Sequence, residues 1–199
     1  HVTQHEEIDI TEMEQFRSSL YDYYTGEVIK VTPLAFITKA IVNALKEFPN
    51  FNTSIDINSN KIIYKKYFHV GFAVDTPHGL MVPKIRNVEQ MSIKEIGEQL
   101  KKTSKLCREL KIDKKEFFGG SITISSLGGI GGTHFTPIIN PPEVAILGVG
   151  KSFDKLTKIK NKIVSRKILP ISLSYDHRII DGAEGAKFCV YLGKCLGKD

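Results

Sequence analysis

Four helical patterns interleave with short β-rich runs along this chain, and they never settle into a repeating strand–helix–strand unit. That arrangement points to an α/β fold, α+β in some schemes, with one mixed sheet carrying helices on one side. Thr11-Glu12-Met13-Glu14 has the form of a capping box and predicts an amphipathic helix over 11–24, with Met13, Phe16, Leu20 and Tyr24 at helical spacing. Thr32-Pro33 predicts a second helix start, followed by Leu34, Ile37, Ile41, Leu45 and Phe48 at the same period until Pro49. The stretch 51–57 alternates, Asn58-Ser59-Asn60 turns, and 61–66 resumes, which is a hairpin pattern. Further strands are predicted at 68–74, 80–85, 121–126, 143–149 and 168–175. Ser92-Ile93-Lys94-Glu95 is a second capping box, and a last helix is expected over 182–196.

The chain has 199 residues, 41% of them hydrophobic and 25% charged, enough to bury a core and too ordinary for a disordered or fibrous class. No apolar run approaches the ~20 residues that span a bilayer, so no membrane association is expected. No repeat or low-complexity linker appears, and 1–199 reads as one domain. The chain opens on His1 without a basic-then-apolar leader, as a piece of a longer chain would. Three scattered cysteines (Cys107, Cys189, Cys195) fit reduced thiols in a cytosolic compartment. The net charge of +6 suits an anionic small molecule. The basic residues are dispersed, and the densest run, 151–167, lacks aromatics for base stacking, so nucleic acid is not an expected partner.

Several familiar sites fail on spacing. Gly150-Lys151-Ser152 resembles the end of a phosphate loop, but Ala145 stands where its first glycine belongs. The glycine-rich run 128–132 is followed by His134 where the dinucleotide fingerprint needs glycine. No Gly-x-Ser-x-Gly elbow exists, which counts against a serine hydrolase. His1 and His5 have no third ligand nearby, so no metal site is expected.

Two segments carry chemistry. In 174–182 four ionisable side chains fall within six positions directly after a strand, which lets His177 project into a cleft and puts Asp181 at a helix start, where its carboxylate can cap the helix or pair with Arg178 or another arginine. A satisfied structural His–Asp–Arg network is the plainer reading of the same residues. In 121–128, Thr123 and Ser125 share the face opposite Ile122 and Ile124. A hydroxyl at that strand end can donate to a developing oxyanion, or simply terminate a strand.

Taken together the segments resemble the dihydrolipoamide acyltransferases, the cores of 2-oxo-acid dehydrogenase complexes. The resemblance rests on Asp-His-Arg-Ile-Ile-Asp-Gly (176–182) after Leu-Pro-Ile-Ser-Leu-Ser-Tyr (169–175), and on Thr-Ile-Ser-Ser-Leu-Gly-Gly-Ile-Gly-Gly-Thr (123–133). It extends through Phe-Thr-Pro-Ile-Ile-Asn-Pro-Pro-Glu-Val-Ala-Ile-Leu-Gly-Val-Gly (135–150), and upstream through Thr-Pro-Leu-Ala-Phe-Ile-Thr-Lys-Ala (32–40) and Gly-Leu-Met-Val-Pro (79–83). It implies a chloramphenicol-acetyltransferase-like fold and a homotrimer with active sites between subunits. In the full-length protein it implies a larger cubic core, with dehydrogenase components recruited through domains outside this chain. It implies coenzyme A as cosubstrate, and a lipoyl group carried on a separate domain. His177 is then the general base, Ser125 the oxyanion donor, and Asp181 the residue that orients the site through Arg17 or Arg178. Coenzyme A contacts fall on Arg17, Thr32, Asp75, Ser125, Ser126 and Gly150. The segments 125–128 and 135–140 are most like the pyruvate (acetyl) branch; succinyl or branched-chain specificity and a non-catalytic scaffold are the alternatives. A bacterial cytoplasm is favoured over a mitochondrial matrix.

Overall fold

In the computed structural model, residues 1–21 and 24–197 are described. The organising strand is β11 (Lys162–Tyr175). Alternation sends Leu169, Ile171, Leu173 and Tyr175 into the hydrophobic core. Pro170, Ser172 and Ser174 face the other way. On one flank β11 pairs antiparallel with β1 (Val2–Asp9); on the other it pairs with β9 (Ala145–Val149) and β10 (Phe153–Ile159). The sheet continues through β8 (Ile122–Ser126), β4 (Val70–Phe72) and β7 (Lys84–Ile85), in the order β1-β11-β9-β8-β4-β7. β8 runs parallel to both β4 and β9, and the remaining pairs are antiparallel, so the sheet is mixed as expected. Two small hairpins stand apart: β2 (Thr53–Asp56) with β3 (Lys61–Tyr64), and β5 (Val74–Thr76) with β6 (Gly79–Met81).

Helices α2 (Pro33–Glu47), α3 (Ile93–Arg108) and α4 (Gly182–Leu196) pack their apolar faces, among them Ile41, Leu45, Ile96, Phe188 and Leu192, on the core side of the sheet. The opposite face is covered by the extended stretch 133–144. Phe135 donates its backbone N–H to Ser172 Oγ, and a Cβ on Gly148 would meet the Phe135 ring at 2.8 Å. Gly148 is therefore required by close approach, since any side chain would displace that ring.

The two capping-box patterns part ways. Around α3 the box forms: Ser92 Oγ accepts from Glu95 N and the Glu95 carboxylate accepts from Ser92 N. At Thr11 it does not. The Thr11 hydroxyl donates to Asp9 and accepts from Lys167 N, while the Glu14 carboxylate is taken by Arg17. Helix α1 is accordingly short, Thr11–Ser18, and does not run to Tyr24; residues 22 and 23 of the expected helix lie outside the described residues. The expected hairpin forms as β2 and β3, with Asn60 in the left-handed region at φ 52°, but its first two residues, 51 and 52, belong instead to a short 3-10 helix (Pro49–Asn52). The expected strand at 68–74 is two strands, β4 and β5, and the one at 80–85 is β6 and β7. Strands β1 and β10 had no sequence expectation. Among the described residues no helix is long and apolar enough to cross a membrane.

Candidate active site

The histidine end is built by the turn that follows β11. Asp176 N donates to Val144 O (2.8 Å), which ties the turn to the start of β9. Asp176 O then accepts from Ile179 N and Ile180 N, and Ile180 is fully buried. The buried Asp176 carboxylate receives the backbone N–H of Arg178 (3.0 Å) and its guanidinium Nη2 (2.6 Å). Those hydrogen bonds hold the Asp176 carboxyl below its ordinary range. The brace is therefore present at neutral pH, and is lost only as acid takes the pH down through that lowered value. His177 sits on this rigid turn with its side chain exposed, its ring 6.0 Å from that of Tyr175, and it has no hydrogen bond or ion pair among the described residues.

Asp181 takes the helix cap, one of the two roles its position allows, and not an arginine pair. It is the N-cap of α4 and accepts from Glu184 N at 2.8 Å. Neither candidate arginine pairs with it: Arg178 is held by Asp176, and Arg17 by Glu14 (2.7 Å) and Val31 O (3.0 Å). Each arginine has a carboxylate two or three positions away, and the local partner wins. Within this chain it is Asp176, not Asp181, that holds an arginine across the histidine turn.

The serine end lies elsewhere. Ser125 is half-buried near the end of β8, on the same face as Thr123, and its hydroxyl has no hydrogen bond among the described residues. It sits beside Gly148, which sits beside Ser172, five positions before His177. With ~3.3 Å per residue along a strand and ~4.8 Å between strands, the register puts Ser125 about 14 Å from Tyr175, where β11 ends, and His177 follows in the turn beyond. Among the described residues no hydrogen bond or ring contact joins the two.

The expected coenzyme contacts fall into two groups. Ser125, Ser126 and Gly150 meet where β8 and β9 end, with Asp75 exposed on β5 just beyond the end of β4. Arg17 and Thr32 form the second group, joined by the Arg17 bond to Val31 O, and no hydrogen bond or ion pair links the two groups among the described residues. Thr32 is the N-cap residue of α2, but its side chain makes no capping hydrogen bond, nor any other among the described residues. Gly150 is explained structurally: a Cβ there would run into the Thr133 carbonyl and the Pro170 ring. Among the described residues no three His, Cys, Asp or Glu side chains gather where they could hold a metal ion.

Comparison with known proteins completes the picture. The family described as 2-oxoacid dehydrogenases acyltransferase (catalytic domain) matches residues 1–198. The chain is 51% identical, over 98% of its length, to the dihydrolipoyllysine-residue acetyltransferase component of the pyruvate dehydrogenase complex of Cupriavidus necator. It spans only 35% of that protein. It superposes with a TM-score of 0.92 and 46% identity, covering 99% of this chain and 81% of the other, on a dihydrolipoamide acetyltransferase of Azotobacter vinelandii. That protein was studied for the role of one serine, one histidine and one asparagine in its catalytic mechanism. Those three are separated by 52 and then 4 positions, as are Ser125, His177 and Asp181 here, with aspartate in the place of the asparagine. The cubic core of a pyruvate dehydrogenase multienzyme complex matches equally well, at TM-score 0.92. Chloramphenicol acetyltransferase, at 14% identity and TM-score 0.68, shares the fold.

Proposed function

Since this chain belongs to the 2-oxoacid dehydrogenase acyltransferase family, as its catalytic domain, we propose that it transfers an acetyl group between dihydrolipoamide and coenzyme A. The observation that carries this reading is the shared Ser–His–Asp/Asn separation, on a serine and a histidine that make no hydrogen bond or ion pair among the described residues. Free polar side chains that far apart become one site if copies assemble in a ring, each interface joining His177 of one chain to Ser125 of the next. We take the ring to be a homotrimer and, in the full-length protein, a unit of a larger core of the kind described for the cubic complex. The lipoyl group arrives on a separate domain, the dehydrogenase components bind through segments outside this chain, and the reaction takes place in a bacterial cytoplasm.

The mechanism follows from ordinary thiol chemistry. A thiol with a reference pKa of about 8.5 is mostly protonated at neutral pH and is a weak nucleophile until it loses that proton. His177, as neutral imidazole, takes the thiol proton of coenzyme A as the sulfur attacks the thioester carbonyl of acetyl-dihydrolipoamide. The partner subunit's Ser125 donates its hydroxyl to the tetrahedral oxyanion. His177 then returns the proton to the departing dihydrolipoamide sulfur. No acyl-enzyme forms, so Ser125 is a donor and not a nucleophile. The free hydroxyls of Thr32 and Ser126 and the guanidinium of Arg17 are the groups that hold the coenzyme.

The test is the rate of acyl transfer from acetyl-, propionyl- and succinyl-coenzyme A to free dihydrolipoamide. Acetyl is expected to lead succinyl by about tenfold or more in kcat/KM. A succinyl preference would overturn the acetyl assignment, and thioester hydrolysis without a thiol acceptor would overturn transfer itself.

A further inference from the structure

Beneath the serine strand lies a charge cluster that the proposed reaction does not use. Lys84 on β7 and Glu143, just before β9, form an ion pair at 2.7 Å, with both side chains only 1% exposed. Thr123 closes a triangle with them: its Oγ1 accepts from Lys84 Nζ (3.3 Å) and donates to Glu143 Oε2 (2.6 Å). Two glycines make the space. A Cβ on Gly71 would come within 2.6 Å of Lys84 Nζ, and one on Gly120 would collide with the Glu143 carboxylate. The surroundings are strongly desolvated: burial lowers the ammonium of neighbouring Lys65 to about 8, with Glu143 raising it and Lys84 lowering it further.

A buried ion pair is a poor source of stability, because desolving two charges cancels most of their attraction, and apolar replacements are often as stable. What it supplies is direction. Thr123 and Ser125 are two positions apart on the same face of β8. The Ser125 hydroxyl makes no hydrogen bond among the described residues, so it is placed only as well as its strand is. On the other side of the cluster, the residue after Glu143 is Val144, whose carbonyl accepts from Asp176 N at the head of the histidine turn. One dipeptide thus touches both the strand that carries Ser125 and the turn that carries His177.

We infer that Lys84, Glu143 and Thr123 form a positioning network that fixes the serine strand and the histidine turn of one chain to each other. The inference rests on the proposed function for its kinetic consequence. In the ring described above these two elements serve different active sites, so the network sets neighbouring sites in register.

The experiment uses Thr123→Val, Thr123→Ser and the paired variant Lys84→Met with Glu143→Met, which leaves no orphaned charge. Acetyl transfer and amide hydrogen exchange are measured on each. Thr123→Val is expected to lower kcat about tenfold with both KM values within about twofold, the signature of misplaced groups rather than lost binding. Thr123→Ser is expected to recover most of the rate. The paired variant is expected to fold and to repeat the kcat loss. Exchange is expected to quicken about tenfold in both 124–127 and 176–180 after either the Val or the paired change. A wild-type kcat in the paired variant, or faster exchange confined to β8, would overturn the proposal. If the wild type transfers no acetyl group, the proposed function falls, and the exchange measurement still decides the positioning role by itself.

Discussion

Replacing His177 with alanine is expected to lower acetyl transfer by about a thousandfold, within the range that general acid–base catalysis supplies. The loss should fall on kcat. His177 is exposed and makes no hydrogen bond within the described chain, so truncation leaves no orphaned polar group and no cavity. The turn beneath it is held by Asp176, Arg178 and the buried Ile180, none of which depends on the imidazole. The variant should therefore melt within a few degrees of the parent and keep its assembly. Steady-state rates beside a thermal melt check both halves of this expectation. Full activity in a folded His177→Ala protein would mean that another group moves the proton.

Ser125→Ala is expected to cost about a hundredfold in kcat, in the range seen when one oxyanion donor is removed. The effect is smaller than for the histidine because the thiol can still be deprotonated; what is missing is one hydrogen bond to charge that exists only near the transition state. Stability should change little, since the hydroxyl bonds nothing within the described chain. The kinetic pattern separates donor from nucleophile. A donor predicts that both substrates bind before either product leaves. Ping-pong kinetics with a trapped acetyl-serine would contradict the assignment.

Much of the scaffold was legible because local rules and tertiary packing agreed. Thr32-Pro33 starts α2, Ser92 and Glu95 cap α3, and the turn at 58–60 closes the β2–β3 hairpin. Where they disagreed, the tertiary partner won. The box at Thr11 has the same residue pattern as the one at Ser92, yet Asp9, Lys167 and Arg17 claim its side chains first. Strands β1 and β10 carry no strand signal, for a different reason. Their sequences carry Glu6 and Glu7, or Lys155 and Lys158, where a half-buried strand would show alternating apolar residues, and both draw their order from β11. Charge in such positions is a means of keeping sheet edges from pairing indiscriminately.

The candidate site was legible as residues and not as geometry. The segments 123–133 and 176–182 stand out in the chain, and the structure puts Ser125 and His177 at accessible ends of the same sheet. Spacing along a sequence carries no information about a neighbour in another copy; a site between subunits came only from the resemblance, and strand register adds the separation of about 14 Å between Ser125 and the end of β11. At Asp181 the position at a helix start left a cap and an arginine pair both open, and the helix N-terminus supplies the nearer partner in Glu184 N. The buried Lys84–Glu143 pair was out of reach as well, because its members are separated by 59 positions and no local pattern marks them.

The claim on which the account turns is that each active site takes its histidine from one chain and its serine from another. Mixing tests it directly. His177→Ala and Ser125→Ala proteins, each nearly inactive, are unfolded together in equal amounts, refolded and assayed for acetyl transfer. In a random cyclic assembly about one interface in four pairs an intact histidine with an intact serine, so the mixture should regain about a quarter of wild-type activity. A mixture no more active than its two components, in particles shown to contain both chains, would place both residues in a site within one chain and contradict the account.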